Sequence, residues 1–465
     1  METSLNPATV PSAEMRTDRH LIIGAGPVGL AFANSLRNAA IAYDHVEADT
    51  DLGGNWRHGV YETAHIISSK RTTEYTDYPM PTDYPEFPSA AQMLAYLHEY
   101  ADHFGLRTAI EFGRTVEWCR PVENNLWEIT FCSGERRVYR GVIVANGHHW
   151  DPFVPKFNGS FAGQVMHSKA YKRPDQLHGR RVLVIGGGNS ACDIAAEAAR
   201  AAAECHISMR RGHWFMPKTM FGAPTVELMK PWMPLWFQRL LLRACIAVTV
   251  GDYRTYGLQK PDHKIFETHP SINSELLHYL RHGKIHPHAG IDRIDGHRVV
   301  FTDGTSCDVD LIVAATGYRV SFPFLPEGLV PIHGAAPQVL AGGVLPDYKG
   351  LYIVGTLQVR YGFGPLLTPY ANLVVGLIRL QETMGLPIGR VLASLGQRPP
   401  STHLVGPFAS LRQMTWARRS LGLIAWWERQ LRKRSTFVGN RTLDDDRLEQ
   451  SRNTGSGETT KVVQS

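Results

Sequence analysis

The chain has 465 residues, 43% of them apolar and 20% charged. That balance describes a globular protein of about two domains and excludes a disordered or fibrous one. The net charge of +6 is modest and no basic-aromatic module marks a nucleic-acid binder, while the six cysteines (119, 132, 192, 205, 245 and 307) form no CxxC pair. Their scatter argues against a disulfide scaffold, a zinc site or a redox dithiol, so no metal is predicted and a reducing cytoplasm is the expected home.

Residues 1–19 are polar, without the apolar centre of a signal peptide, and are read as a flexible N-terminus. The first strong element follows. Leu21, Ile22 and Ile23 form an apolar strand that runs into Gly24, Gly26, Pro27 and Gly29 and then a helix from Leu30. In such a strand–turn–helix the first glycine permits the tight turn. The second lets the backbone approach a pyrophosphate, and the third lets helix and strand pack closely. The pyrophosphate then rests on free amides at the positive end of the helix. A second strand ends at Glu47. A carboxylate there accepts from ribose hydroxyls and repels a 2′-phosphate, which fits FAD.

Further along, Val142 to Ala145 is an apolar strand ending in Gly147, and a second fingerprint starts at Arg181. Val182 to Ile185 lead into Gly186, Gly188, Asn189, Ser190 and Ala191, with a helix over Asp193–Ala199. Here the next strand ends not in an acid but in Arg210 and Arg211. Guanidinium pairs with phosphate bidentately, so this pocket suits NADPH. The strand Asp310–Ala315, before Thr316, Gly317 and Tyr318, repeats the form of the 142–147 strand, and Leu351–Gly355 reads as a last buried strand. The fold expected is α/β, with two Rossmann-like domains. The NADPH domain (161–309) is inserted in a discontinuous FAD domain (20–160 and 310–438), and 439–465 is read as a disordered tail.

Two basic, aromatic segments are amphipathic. Leu235–Val250 carries Arg239 and Arg243 one helical turn apart, and 416–434 mixes tryptophan with many arginines. Packing within the protein is the simpler reading, and peripheral contact with a membrane is the other. No apolar run reaches the roughly 18 residues of a membrane span.

Between the two fingerprints lies a further motif: Phe161, Gly163, His167 and Tyr171 in the register FxGxxxHxxx(Y/F). Around it stand Gly53-Gly54-Asn55-Trp56, the stretch from Asp77 to Pro85, and the Ala315–Tyr318 strand end. With these motifs in order from about residue 20 to 375, the chain resembles the flavin-containing monooxygenases. These are class B flavoproteins related to N-hydroxylating and Baeyer–Villiger monooxygenases. The resemblance implies an enzyme in which NADPH reduces FAD and reduced flavin takes up O2 as a C4a-(hydro)peroxyflavin. One oxygen atom then passes to a small organic substrate, expected to be a soft nitrogen or sulfur nucleophile. It assigns FAD to Gly24, Gly26, Pro27, Gly29, Glu47, Asn55, Trp56, Ser68 and Gln358, and NADPH to Gly186, Gly188, Asn189, Ser190, Arg210 and Arg211. A homodimer is left open.

One position departs from the family. Where heteroatom-oxygenating members carry an asparagine beside the flavin, this chain has Ile67, which cannot donate a hydrogen bond. Ser68, Ser69 or Arg71 is the expected replacement, so Ser69 and Arg71 join His167 as candidate catalytic residues. The departure keeps ketone oxidation as an alternative, and the intact fingerprints leave room for a non-catalytic flavoprotein that senses redox state. Substrate-lining residues are expected in stretches such as 219–260.

Overall fold

A computed structural model describes residues 12–402 and 404–433; the expected tail lies outside them. The elements that matter here are β1 (Glu14–Ile23), α1 (Pro27–Asn38), β2 (Tyr43–Val46), α2 (Ala90–His103), β3 (Ile110–Glu111), β4 (Val116–Val122), β5 (Leu126–Phe131) and β6 (Arg136–Val144). Next come β7 (Asn158–Phe161), β8 (Gln164–His167), β9 (Arg181–Ile185), α3 (Asn189–Ala201), β10 (Glu204–Ser208), α4 (Leu235–Thr249) and β11 (His286–His288). The last are β12 (Ile291–Gly296), β13 (Arg298–Phe301), β14 (Ser306–Asp308), β15 (Leu311–Ala314), β16 (Leu351–Ile353), α5 (Gly364–Thr383) and α6 (Pro407–Arg419).

Two sheets carry the fold. The first has the order β3-β2-β1-β6-β5-β4, with β16 also on β6. Its β1, β2, β3, β6 and β16 run parallel, and the β4–β5–β6 meander is antiparallel. The second is wholly parallel in the order β11-β10-β9-β15-β8. Beside it lies an antiparallel layer, β14-β13-β12, with β7 parallel on β12. Strands buried on both faces read as continuous apolar runs: Leu21–Ile23 and Val182–Ile185 are all buried.

Two placements differ from expectation. Strand β1 begins at Glu14, inside the segment read as flexible, because Arg16 and Arg19 pair with Asp44 across the strands. Strand β15 lies in the second sheet, between β9 and β8, not in the first. Its four residues are fully buried, and only a position between two partners satisfies that backbone on both edges. Chain returns to the first sheet at β16.

The start of α1 is held from several sides. Tyr75 donates to the Pro27 carbonyl at 2.7 Å. Asp77, which heads the 77–85 motif, accepts from Asn34 of α1 at 3.0 Å and from Thr368 of α5 at 2.9 Å. The motif thus fixes the helix whose N-terminus faces the first nucleotide turn.

Candidate active site

The first glycine turn is built as its sequence requires. Gly24 has φ +103°, and a Cβ there would stand 2.7 Å from the Ala145 carbonyl oxygen. A Cβ on Gly29 would overlap the Gly24 carbonyl, so this glycine serves helix–strand packing. Gly26 is different. It has an ordinary φ of −77°, and its nearest neighbour, Gly54 Cα, is 3.7 Å from where a Cβ would lie. No protein atom demands glycine there; the space it leaves is for something else.

Two side chains behind the turn brace it. Glu47 accepts from the Ala25 amide at 2.5 Å and the Asp49 amide at 3.0 Å. Buried His45 places Nε2 2.9 Å from the Gly24 carbonyl, and burial depresses its pKa to about 4. The imidazole is therefore neutral and donates to Gly24.

In front of the turn opens a cavity of about 1070 Å³. This exceeds the roughly 300–1,000 Å³ of ordinary small-molecule pockets. Gly24, Gly26, Pro27, Glu47 and Asn55 line it. Asn146, Trp150 and Thr356 line it too, and Asn146 Oδ1, Trp150 Nε1 and Thr356 Oγ1 are buried without a hydrogen-bond partner. Buried polar atoms are rarely left unmatched, since each costs about 1–3 kcal/mol. A glycine turn with a vacant Cβ position, a helix N-terminus and unmatched polar atoms fit a dinucleotide such as FAD. The lining also includes Leu366, Leu373 and Leu377 of α5 and Met414 and Ala417 of α6. Segment 219–260, where substrate contacts were expected, contributes nothing to this lining. Its α4 instead packs Leu242, Cys245 and Ile246 into the core around the second sheet.

The remaining flavin-side candidates scatter. Gly29 and Trp56 pack beneath or beside the turn. Gln358 lies 3.0 Å from His149 Nε2, next to the cavity. Ser68 Oγ is 2.7 Å from Thr73 Oγ1, and buried Ser69 caps the one-turn helix Lys70–Thr73 through Thr72. Arg71 is exposed, and Ile67 packs against the core around the second sheet. None of residues 67–71 lines the cavity. Their hydroxyls are engaged in holding a tight turn. His167 is likewise occupied. Nε2 faces the Gly317 carbonyl at 2.9 Å and Nδ1 accepts from the Lys169 amide at 3.1 Å. Burial lowers its pKa. With one nitrogen donating and the other accepting, it joins two strand ends instead of reaching the cavity.

The second glycine turn repeats the first. Gly186 has φ +128°, and a Cβ on it would press on the Ala315 carbonyl, whereas a Cβ on Gly188 would meet nothing within 4 Å. Asn189 begins α3 and accepts from the Ile272 amide at 2.7 Å; Ser190 follows it. Arg210 and Arg211, just beyond the end of β10, are exposed. They occupy the strand end that matches the place of Glu47 in the first unit.

Sequence reasoning missed what joins the two units. Asp193 and Glu197, one turn apart on α3, face the 58–65 segment of the first. Tyr61 donates to Asp193 at 2.6 Å, and Asn273 donates to its other oxygen at 2.5 Å. Thr63 and Tyr171 both donate to buried Glu197. Burial raises the pKa of Asp193 and that of Tyr61. Tyr171, the last residue of the FxGxxxHxxx(Y/F) motif, therefore orients the carboxylate that grips Thr63. The acids were legible only as the polar side of a helix.

Comparison with known proteins agrees with this geometry. The flavin-binding monooxygenase-like family profile matches residues 17–358. The chain is 32% identical over 346 residues to flavin-containing monooxygenase 5 of Oryctolagus cuniculus, covering 68% of this chain and 64% of that protein. It is 33% identical over 389 residues to dimethylaniline monooxygenase [N-oxide-forming] 2 of Rattus norvegicus, covering 73% and 71%. It thus spans just under two thirds of the rabbit protein. The closed crystal structure of cyclohexanone monooxygenase superposes with a TM-score of 0.69, covering 89% of this chain and 98% of that one at 16% identity, a likeness of fold. The chain therefore belongs to the flavin-binding monooxygenase-like family.

Proposed function

We propose that this flavin monooxygenase binds FAD in the cavity before the first glycine turn and NADPH on the second, and that it oxygenates a soft nitrogen or sulfur centre in a small apolar molecule. The observation that carries this reading is the cavity itself, whose lining combines unmatched buried donors and acceptors with leucines of α5. Bound FAD supplies the redox chemistry, accepting a hydride equivalent from NADPH and activating O2. The chain does the rest. The Gly24–Gly29 turn and the α1 N-terminus hold a pyrophosphate, Glu47 fixes the turn's amides, and α5 and α6 exclude water from the reacting end. Relatives named for N-oxide formation share a third of the sequence, which supports heteroatom over ketone oxidation.

On this reading the first sheet with 351–433 is the FAD domain. The second sheet with its antiparallel layer, from about residue 158 to 316, is the NADPH domain. A screen of the purified protein with tertiary amines, sulfides and ketones, following NADPH use and oxygenated product, tests the assignment. Product from amines or sulfides supports it; product from ketones alone overturns the substrate class.

Among the described residues no helix is long and apolar enough to cross a membrane. Yet Trp232, Trp236, Leu240 and Val248 on and before α4 are well exposed, as are Trp416, Leu423 and Trp426. The packing expected of these aromatic faces covers only one side of α4. They suit shallow contact with a lipid surface; sedimentation with anionic vesicles should carry the protein down, and a Trp232→Ser/Trp236→Ser variant should stay in solution.

A further inference from the structure

The outer edge of the second sheet holds a cluster that the flavin chemistry does not use. His206 on β10, His288 on β11 and Cys307 on β14 each offer one ligand atom, and the three atoms lie within 4.8 Å of one another. His206 Nδ1 and His288 Nε2 face each other at 3.0 Å. Residues 206, 288 and 307 meet because β10 and β11 pair in parallel, with Ser208 opposite His288, while β14 closes the antiparallel layer beside them.

We propose that His206, His288 and Cys307 form a binding site for a borderline divalent cation such as Zn2+, separate from both nucleotide sites. Two imidazole nitrogens and a thiolate are a zinc donor set, with ligand atoms in a tetrahedral site roughly 3.3–3.6 Å apart given bond lengths of about 2.0–2.3 Å. The cluster needs only small side-chain adjustment to reach that spacing.

The outward nitrogens strengthen the case. A metal-bound histidine typically directs its second N–H to a carboxylate or another acceptor, fixing the tautomer that leaves the inner nitrogen free. Glu204 Oε1 stands 3.2 Å from His206 Nε2. Thr305 Oγ1 lies 3.5 Å from His288 Nδ1. His288 thus turns one nitrogen inward and the other to an oxygen, while the buried Nε2 of His206 has the Glu204 carboxylate nearby and no hydrogen bond of its own. The His288 ring is further held flat on Phe301, with centroids 4.0 Å apart and planes 11° from parallel. His206 is buried, while His288 and Cys307 are partly exposed, so an ion has a path in. Exposed His286, whose ring lies 5.3 Å from that of His206, or water completes the coordination. A bound ion ties the parallel sheet to the antiparallel layer, on the strand that leads to Arg210.

The test uses the full-length, FAD-loaded protein, stripped with a chelator and then titrated with Zn2+ alone and separately with Co2+. The expected result is one tight equivalent of zinc. Cobalt should give the visible bands of a tetrahedral, thiolate-bound ion, to the red of the flavin absorption. Cys307→Ser, close to isosteric, should lose at least about a hundredfold in zinc affinity and the cobalt–thiolate signature, and Glu204→Gln should lose roughly tenfold to a hundredfold. His288→Ala should also lose the equivalent, with retained flavin content showing that each variant is folded. No stoichiometric zinc uptake, or uptake unchanged in Cys307→Ser, overturns the proposal.

Discussion

The two nucleotide turns are the same device set in different surroundings. Each runs from a buried parallel strand through a glycine at positive φ to a second glycine with room for a ligand. In the first unit the following strand ends in Glu47, drawn inward onto the Ala25 and Asp49 amides beside a deep cavity. In the second it ends in two exposed arginines. A neutral ribose suits the first arrangement and a phosphorylated one the second. Enclosure suits a resident redox group, and an open strand end suits a hydride donor that exchanges every turnover.

The sharpest way to break that comparison is at the second glycine of each turn. Gly26→Val meets little protein, so the variant should fold and yet lose essentially all FAD, read as flavin absorbance per chain beside an unchanged far-ultraviolet circular dichroism spectrum. Gly29→Val should instead fail to fold, because its side chain runs into the Gly24 carbonyl. A folded Gly26→Val that keeps stoichiometric flavin would detach the first turn from FAD.

Next in size is the choice of reduced nucleotide. Arg210→Ala and Arg211→Ala remove charge-assisted contacts of about 1.5–3 kcal/mol each, or roughly tenfold to a hundredfold. The NADPH over NADH preference in kcat/KM should fall by that factor, mostly through KM. If the preference is unaltered in both variants, the 2′-phosphate is read elsewhere.

Much of this was legible in the chain because a dinucleotide turn is local: strand, glycines, helix and strand-end charge fall within about 30 residues. What escaped depends on distant segments. The unmatched polar atoms of Asn146, Trp150 and Thr356 come from two strand ends about 200 residues apart, and the apolar wall comes from α5 and α6. The cysteine scatter argued against zinc because metal motifs are recognised by short spacings, whereas His206, His288 and Cys307 converge through sheet pairing. Strand β15 was misassigned for the same reason: its sequence form repeats that of β6, but pairing places it beside β9. At Ser68 and Ser69 the residue types suggested chemistry, and local hydrogen bonding took their hydroxyls for a turn.

The seam between the units offers a third, smaller effect. Tyr171→Phe leaves Glu197 buried with Thr63 as its remaining hydroxyl donor. Losing one donor to a buried carboxylate should cost about 1–3 kcal/mol of stability. If the seam also orients the two nucleotides, the variant should show slower flavin reduction by NADPH at saturating nucleotide, with FAD content unchanged. Equal slowing with a small-molecule reductant such as dithionite would mean that the defect lies in the flavin site and not in the seam.

The smallest effect expected is a pH dependence at the first turn. His45 is neutral in the fold, its pKa depressed by burial from 6.5 to about 4. The unfolded chain therefore binds a proton more readily, and stability from this group is full above pH 6.5 and lost as pH falls toward 4. Between pH 7 and pH 5 the loss is about 1–2 kcal/mol, an order-of-magnitude figure. His45→Gln keeps a side-chain donor near the Gly24 carbonyl but has nothing to titrate. Denaturant midpoints measured across that range should fall with acid in the parent protein and fall less steeply in the variant. Because His45 braces Gly24, flavin release on acidification should follow the same difference. Parallel slopes in the two proteins would assign the acid sensitivity to other histidines and leave the turn's brace electrically silent.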